Sequence, residues 1–138
     1  MENEAGRPDV RELRLVVTTD DYDAAVAFYR DTLGMPLSAE YLSADQGRVV
    51  ILEAGMATLE IGDLDHGAYV DQVEVGRPVA GHLRVALRVD DATVATAAAT
   101  EAGAEVVAAP TVTPWGSLNA RLEAPADLQL TLFQDDVD

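Results

Sequence analysis

Side chains that could bind or activate a small molecule lie on one face of several predicted strands. Side chains alternate across a strand, so residues two apart share a face, and here polar and apolar residues take alternate positions. A guanidinium donates hydrogen bonds to carboxylate, phenolate or carbonyl oxygens. The mixture resembles a pocket lining, although a solvated sheet face fits the pattern equally well. The candidate ligand-binding residues on this face are Arg14, Glu60, His82, Arg84, Asn119, Arg121 and Thr131.

The single tryptophan, Trp115, follows a proline and precedes a glycine. Its indole offers a flat surface on which an aromatic or cationic ligand can stack. A tryptophan in this context also closes the edge of a hydrophobic core, so both interpretations stay open. His66, between Asp65 and Gly67, is interpreted as a loop histidine.

Composition excludes several classes of partner and site. The 138 residues include 25 acidic and 9 basic side chains, which gives a formal net charge of −16 at pH 7, and each of the nine is an arginine. Such a charge repels nucleic acid and anionic membranes and attracts small cations. The absence of cysteine excludes disulfides, thiolate nucleophiles and zinc–thiolate sites.

The sequence also predicts a cytoplasmic location. No apolar run approaches the roughly 20 residues that span a bilayer. The start, Met1-Glu2-Asn3-Glu4, is acidic where a signal peptide is basic. Apolar residues make up 49% of the chain, which is enough to build a core.

The chain repeats itself at an offset of 70 residues. Residues 13–21 match residues 83–91, and Leu52-Glu53-Ala54 matches Leu122-Glu123-Ala124. The repeat predicts one domain, residues 1–138, built from two modules. Module one covers about 10–62, a connector covers 63–81, and module two covers about 82–134.

Each module is predicted to have the order βαβββ, an α+β fold class. Alternating apolar residues predict first strands at Leu13–Val17 and Leu83–Val89, with the leucines facing the helices. A helix follows each aspartate pair and ends at Gly34 or Gly103. The remaining predicted strands are Leu37–Leu42, Arg48–Glu53, Ala57–Ile61, Glu105–Val107, Leu118–Glu123 and Leu128–Phe133.

Two segments resemble a known family. Residues 24–34, Ala-Ala-Val-Ala-Phe-Tyr-Arg-Asp-Thr-Leu-Gly, are similar to the first helix of the glyoxalase/bleomycin-resistance/extradiol-dioxygenase group, the vicinal oxygen chelate superfamily. Residues 113–116, followed by residues 123–125 and 130–134, are similar to its Trp-Gly segment and closing strand. The resemblance implies paired βαβββ modules in one curled mixed sheet that forms a cup, commonly in a homodimer.

The same resemblance implies where a metal would be held. In metal-dependent members, histidines on the first strand of each module and carboxylates on later strands hold a divalent ion. This sequence places Arg14 and Arg84 at the histidine positions, Glu60 at the first carboxylate and Thr131 at the second. Arginine does not ligate metals. A shifted register offers an alternative metal set of Glu12, Glu60 and His82.

Three functions remain as hypotheses. The first is a metal-independent protein without a cofactor that sequesters a small aromatic or amphipathic ligand, resembles bleomycin-resistance proteins, and acts in antibiotic resistance. The alternative is a divalent-metal-dependent glyoxalase-like lyase, isomerase or dioxygenase. The third is a metal-free enzyme in which an arginine polarises a carbonyl and Glu60 moves the proton.

Overall fold

The computed structural model describes residues 9–137, which divide into two compact units. One unit spans Arg14–Arg84, and the other contains residues 9–13 and 85–137. The acidic start at residues 1–4, which differs from the basic start of a signal peptide, lies outside the described residues. Within the described residues, no helix has the length and apolar character needed to cross a membrane.

Module one has the predicted βαβββ order. Its elements are β1 (Val10–Thr18), α1 (Tyr22–Val26), a π-helical continuation (Ala27–Thr32), β2 (Leu37–Leu42), β3 (Arg48–Ala54) and β4 (Ala57–Gly62). The strand order is β2-β3-β4-β1; β3 is antiparallel to both neighbours, and β1 is parallel to β4. The helical segment ends at Gly34, whose φ of +72° suits a residue without a side chain.

Module two repeats this order. Its elements are β5 (Leu83–Val89), α3 (Ala92–Glu101), β6 (Glu105–Val112), β7 (Leu118–Ala124), a 3-10 turn (Pro125–Asp127) and β8 (Leu128–Gln134). The strand order is β5-β8-β7-β6, with β5 parallel to β8 and the other pairs antiparallel. Asp91 caps α3 by accepting the Val94 N–H at 3.0 Å. The predicted α+β class is confirmed.

Each module packs its helix on one sheet face to form a core. In module one, Tyr22 and Val26 of α1 pack against Val50, Leu52 and Ile61. In module two the corresponding cluster is Val89, Ala92, Ala95, Leu122 and Leu132. Burial of these side chains supplies the main stabilising free energy of each unit.

The predicted connector, residues 63–81, begins with a helix, α2 (Leu64–Glu74). Asp63 caps it by accepting the His66 N–H at 2.8 Å. Three glycines allow α2 to pack close to its neighbours. A Cβ at Gly62 would lie 3.0 Å from the His66 ring, and a Cβ at Gly67 would lie 3.0 Å from the Thr18 side chain. At Gly47 a Cβ would lie 2.3 Å from the backbone nitrogen of His66.

The expected burial of the first strands is wrong at three leucines. Leu13, Leu15 and Leu83 are 48%, 37% and 52% exposed. The composition of the module-one core explains the exposure of Leu13 and Leu15. The buried residues of this core come from α1, β3 and β4, and none comes from β1. Val16, on the opposite face of β1, is buried and lines a cavity together with Val70 of α2.

Candidate functional site

Arg14 and Glu60 form an ion pair on the polar face of module one. The Arg14 Nη1 atom lies 3.5 Å from the Glu60 Oε1 atom, and Arg14 Nε donates to Thr58 Oγ1 at 3.1 Å. The parallel register between β1 and β4, which sets Arg14 opposite Thr58 and Val16 opposite Glu60, explains this contact. Both side chains are mostly shielded, with 19% and 13% of their surface exposed, so their attraction is weakly screened by solvent.

Arg84 lines a small cavity together with Glu60. The free space is about 10 Å³, on the order of the room that one water molecule needs. Arg84 is buried, as a guanidinium can be only when it has polar partners. The structure therefore brings three predicted site residues, Arg14, Glu60 and Arg84, into one neighbourhood within the Arg14–Arg84 unit.

His66 lies in α2 and lines the same cavity. The interpretation of His66 as a loop histidine is therefore wrong. Its Nδ1 atom is buried and has no hydrogen-bond partner among residues 9–137. Burial lowers the pKa of His66 below its usual value, with Arg84 adding to the effect and Glu60 opposing it. The imidazole is therefore neutral at pH 7 and presents one unsatisfied ring nitrogen inside the protein.

The segment before Arg84 is held by hydrogen bonds to α2 and to the end of β1. The buried carboxylate of Asp71, on α2, accepts the N–H groups of Val79 and Ala80 at 2.9 and 3.0 Å. His82 is exposed and its Nδ1 atom lies 2.9 Å from the carbonyl oxygen of Thr18. His82 therefore anchors the end of β1 and does not line the Glu60 cavity.

The predicted site residues of module two make polar contacts within that module. Arg121 is fully buried and donates to Gln129 Oε1 at 2.9 Å, while Gln129 Nε2 donates to Glu123 at 3.2 Å. Thr131 is buried opposite Arg121 in the β7–β8 register.

Asn119 belongs to a second group of hydrogen-bonded side chains in module two. Ser117 Oγ donates to Asn119 Oδ1 at 2.6 Å and lies 2.9 Å from Thr113 Oγ1. Trp115 lies in the turn between Thr113 and Ser117 and is 47% exposed. About half of the indole surface therefore lies open to solvent, and the other half is covered by protein.

A family model described as the Glyoxalase/Bleomycin resistance protein/Dioxygenase superfamily matches residues 13–135. The chain belongs to this superfamily. The match confirms the resemblance drawn from the helix motif and the Trp-Gly segment. A comparison with curated proteins finds no match.

Solved structures of the superfamily fold are similar over most of the chain. A hypothetical protein from Bacillus halodurans is 13% identical with a TM-score of 0.67, over 95% of this chain and 96% of that one. Methylmalonyl-CoA epimerase from Mycobacterium tuberculosis is 22% identical with a TM-score of 0.65, over 91% and 89%. A methylmalonyl-CoA epimerase in complex with methylmalonyl-CoA and ammonium is 21% identical with a TM-score of 0.64, over 91% and 94%. At these identities the likeness shows the vicinal oxygen chelate-like fold alone.

The donor set of this superfamily member does not fit a divalent ion. Arg14 and Arg84 are permanent cations without a lone pair to share, and Glu60 already faces Arg14. Across residues 9–137, no three His, Asp or Glu side chains are grouped closely enough to hold a metal. In the alternative set, Glu12 accepts from Arg88 at 3.3 Å and His82 faces a backbone carbonyl.

Proposed function

We propose that this superfamily member is a metal-independent binding protein that sequesters a small aromatic or amphipathic molecule. The observation that carries the proposal is the Arg14–Glu60 ion pair beside the buried Arg84. Where related metal sites use imidazoles to hold an ion, this chain has guanidinium groups, which bind oxygen atoms of a ligand directly.

The proposed interaction is with the polar end of the ligand. A carboxylate, phenolate or carbonyl oxygen would accept hydrogen bonds from Arg14 or Arg84, and Glu60 would fix the orientation of the guanidinium groups. The cavity beside Glu60 and Arg84 has room for little more than one heavy atom. It therefore suits the tip of a ligand rather than its apolar body.

Other proposed ligand contacts come from the sequence pattern. For each unit by itself, we propose that the Trp115 indole stacks on an aromatic ligand, and that His82 in one unit and Asn119, Arg121 and Thr131 in the other contribute polar contacts to a ligand. We also propose a cytoplasmic homodimer. Sedimentation velocity tests the dimer, which requires a species of twice the 14.7 kDa chain mass.

Elemental analysis and thermal unfolding test the proposed function. Purified protein is expected to contain no stoichiometric Mn, Fe, Ni or Zn, and a chelator should leave its unfolding midpoint unchanged. A screen of aromatic antibiotics and metabolites should find ligands that raise the midpoint equally with and without chelator. A ligand at a hundredfold excess over its Kd stabilises by about 2.7 kcal/mol.

Two arginine variants make the screen specific. Arg14→Met should abolish the ligand-induced shift, while Arg77→Met, at an exposed position in the segment after α2, should retain it. A stoichiometric metal whose removal lowers the midpoint would refute the proposal. An equal loss of the shift in both variants would also refute it.

The unsatisfied His66 nitrogen favours a second candidate function, metal-free acid–base catalysis. Glu60 and His66 line one cavity with Arg84, so a carboxylate, a neutral imidazole and a polarising guanidinium meet at one point. Methylmalonyl-CoA, bound by one structural neighbour, is a suitable probe because its α-proton is acidic. Deuterium exchange at that carbon should survive chelators and disappear in Glu60→Gln. Absence of exchange in the wild type refutes this candidate for that substrate class.

A further inference from the structure

A cavity of about 550 Å³ lies between α1, its π-helical continuation and strands β2 and β3. Small-molecule sites in proteins commonly measure about 300–1,000 Å³. The cavity is lined only by residues of the Arg14–Arg84 unit and shares no lining residue with the Glu60 cavity. Part of its wall is the π-helical segment Ala27–Thr32, a rare geometry that is frequent at functional sites.

The apolar lining of this cavity is partly uncovered. Tyr22 and Val26 are buried and face it from α1. Tyr41 and Leu42, at the end of β2, also line it and are 60% and 61% exposed. An aromatic ring and a leucine at the mouth of a concave surface can pack against the apolar body of a ligand.

The two arginines of the cavity already have anionic partners. The Arg48 guanidinium lies 4.4 Å from the centre of the Tyr22 ring, and its Nη1 atom is 2.9 Å from Asp23 Oδ1. Arg30 Nε is 2.8 Å from Asp31 Oδ1. Their positive charges are therefore largely neutralised by the adjacent carboxylates.

Glu40 is the third carboxylate that lines the cavity. Its carboxylate is exposed, and its charge interacts with the Arg30 guanidinium. The five charged side chains that line the cavity are two arginines and three carboxylates, so Glu40 makes their sum negative. Burial raises the pKa of Tyr22, and the negative charge of Glu40 raises it further, so the Tyr22 phenol stays neutral. The fixed charge that a ligand meets here is consequently negative.

We propose that this cavity is a second ligand site, specific for a small aromatic or amphipathic cation whose ammonium group pairs with Glu40 and whose apolar body packs on Tyr41 and Leu42. The net charge of −16 raises the local concentration of such cations. This preference is opposite to that of the Arg14–Glu60 site, where guanidinium groups favour anionic or carbonyl oxygens.

Matched probes of opposite charge test the proposal by titration calorimetry. The ammonium probe is 1-naphthylmethylamine, and the control is 1-naphthaleneacetate, which has the same ring system and a carboxylate. Both are titrated into the Arg14→Met protein, so that the carboxylate does not bind at the proposed Arg14–Glu60 site. The amine is expected to bind at least about tenfold more tightly, and its affinity should fall as NaCl is raised to about 0.5 M.

Variants of single residues assign the binding to this cavity. Glu40→Gln should weaken amine binding about fivefold, the change expected for one exposed ion pair. Tyr41→Ala should weaken it by a similar factor through lost ring contact. Glu53→Gln makes the same charge change at an exposed position of β3 that does not line the cavity, and it should bind the amine as the wild type does.

Three results would overturn the proposal. The first is equal affinity for the amine and the carboxylate. The second is amine binding that Glu40→Gln leaves intact. The third is a Tyr41→Ala protein that sediments as a smaller species than the wild type, because the face would then be covered by a second copy of the chain.

Discussion

Replacing Arg14 and Glu60 singly and together measures how strongly the two side chains interact. At their separation of 3.5 Å, the Coulomb attraction is about 5 kcal/mol at an effective dielectric constant of 20 and about 1 kcal/mol in water. Desolvation and side-chain ordering offset much of the larger value. We therefore expect a coupling free energy of about 1–2 kcal/mol between Arg14→Met and Glu60→Gln in a double-mutant cycle.

An exposed ion pair in the same chain serves as the control. Arg11 and Asp90 have better geometry, with an N–O distance of 2.7 Å, but their side chains are 48% and 51% exposed. Burial of the Arg14–Glu60 pair should outweigh the shorter distance of the Arg11–Asp90 pair, because solvent and salt screen exposed charges strongly. The Arg11–Asp90 coupling should vanish in about 1 M NaCl, whereas most of the Arg14–Glu60 coupling should persist.

Urea unfolding followed by far-ultraviolet circular dichroism gives each free energy of unfolding at low and high salt. Urea is suitable because it adds no ions. A coupling below about 0.3 kcal/mol, or one that salt removes as completely as it removes the Arg11–Asp90 coupling, would refute the reasoning. Arg14 would then be a solvated arginine, and its place beside Glu60 would carry no functional argument.

Three further predictions concern the α2 region. Asp71→Asn weakens two hydrogen bonds to a buried carboxylate and should cost about 1–3 kcal/mol in urea unfolding, whereas Asp65→Asn, at an exposed site on the same helix, should cost under about 0.5 kcal/mol. Gly47→Ala places a Cβ 2.3 Å from a backbone atom and should cost about 2 kcal/mol or more, whereas Gly81→Ala, with nothing within 4 Å, should be neutral or slightly stabilising. Because burial lowers the pKa of His66 in the folded state, its contribution to stability is complete above the unfolded value near 6.5 and decreases as pH falls below it. His66→Gln should flatten the change in unfolding free energy measured between about pH 7.5 and 5.5; an unchanged pH profile would show that the imidazole titrates alike in both states.

Local patterns were sufficient to predict most of the elements. The alternation of apolar residues predicted β5 (Leu83–Val89) at its observed bounds, and Gly103, with a φ of +109°, ends the α3 segment as predicted. Strand β6 runs five residues beyond its predicted end at Val107. Its Pro110 argues against a central strand, but β6 lies at an edge of its sheet, where a missing N–H is tolerated.

The candidate site was only partly predictable. The repeat placed Arg14 and Arg84 at equivalent positions, the superfamily resemblance placed Glu60 at a carboxylate position of the same site, and the structure brings the three together. The role of His66 depends on α2 packing close to Gly47 and Gly62, a contact between distant segments that no local pattern records. Asp63 is the sequence signal that could have revealed α2, since aspartate is a preferred residue at a helix N-cap.

The apolar stripe of β1 failed as a guide to burial for the same reason. Alternation shows which residues share a face, but the covering element decides which face is buried. Leu13 and Leu15 share a face as expected, and yet Val16 on the other side is the buried residue. A helix at residues 64–74 was needed to predict this, and its single glycine, Gly67, made that segment look like a connector.

Titration calorimetry with Ni²⁺ tests the central claim, that guanidinium groups have replaced a metal site, most directly. The wild type should show no one-to-one binding, because Arg14 and Arg84 supply no ligand atoms. The Arg14→His/Arg84→His double variant places two imidazoles beside Glu60 and should gain a one-to-one site at least about tenfold tighter than any binding to the wild type. One-to-one Ni²⁺ binding by the wild type, with a matching rise in its unfolding midpoint, would contradict the account.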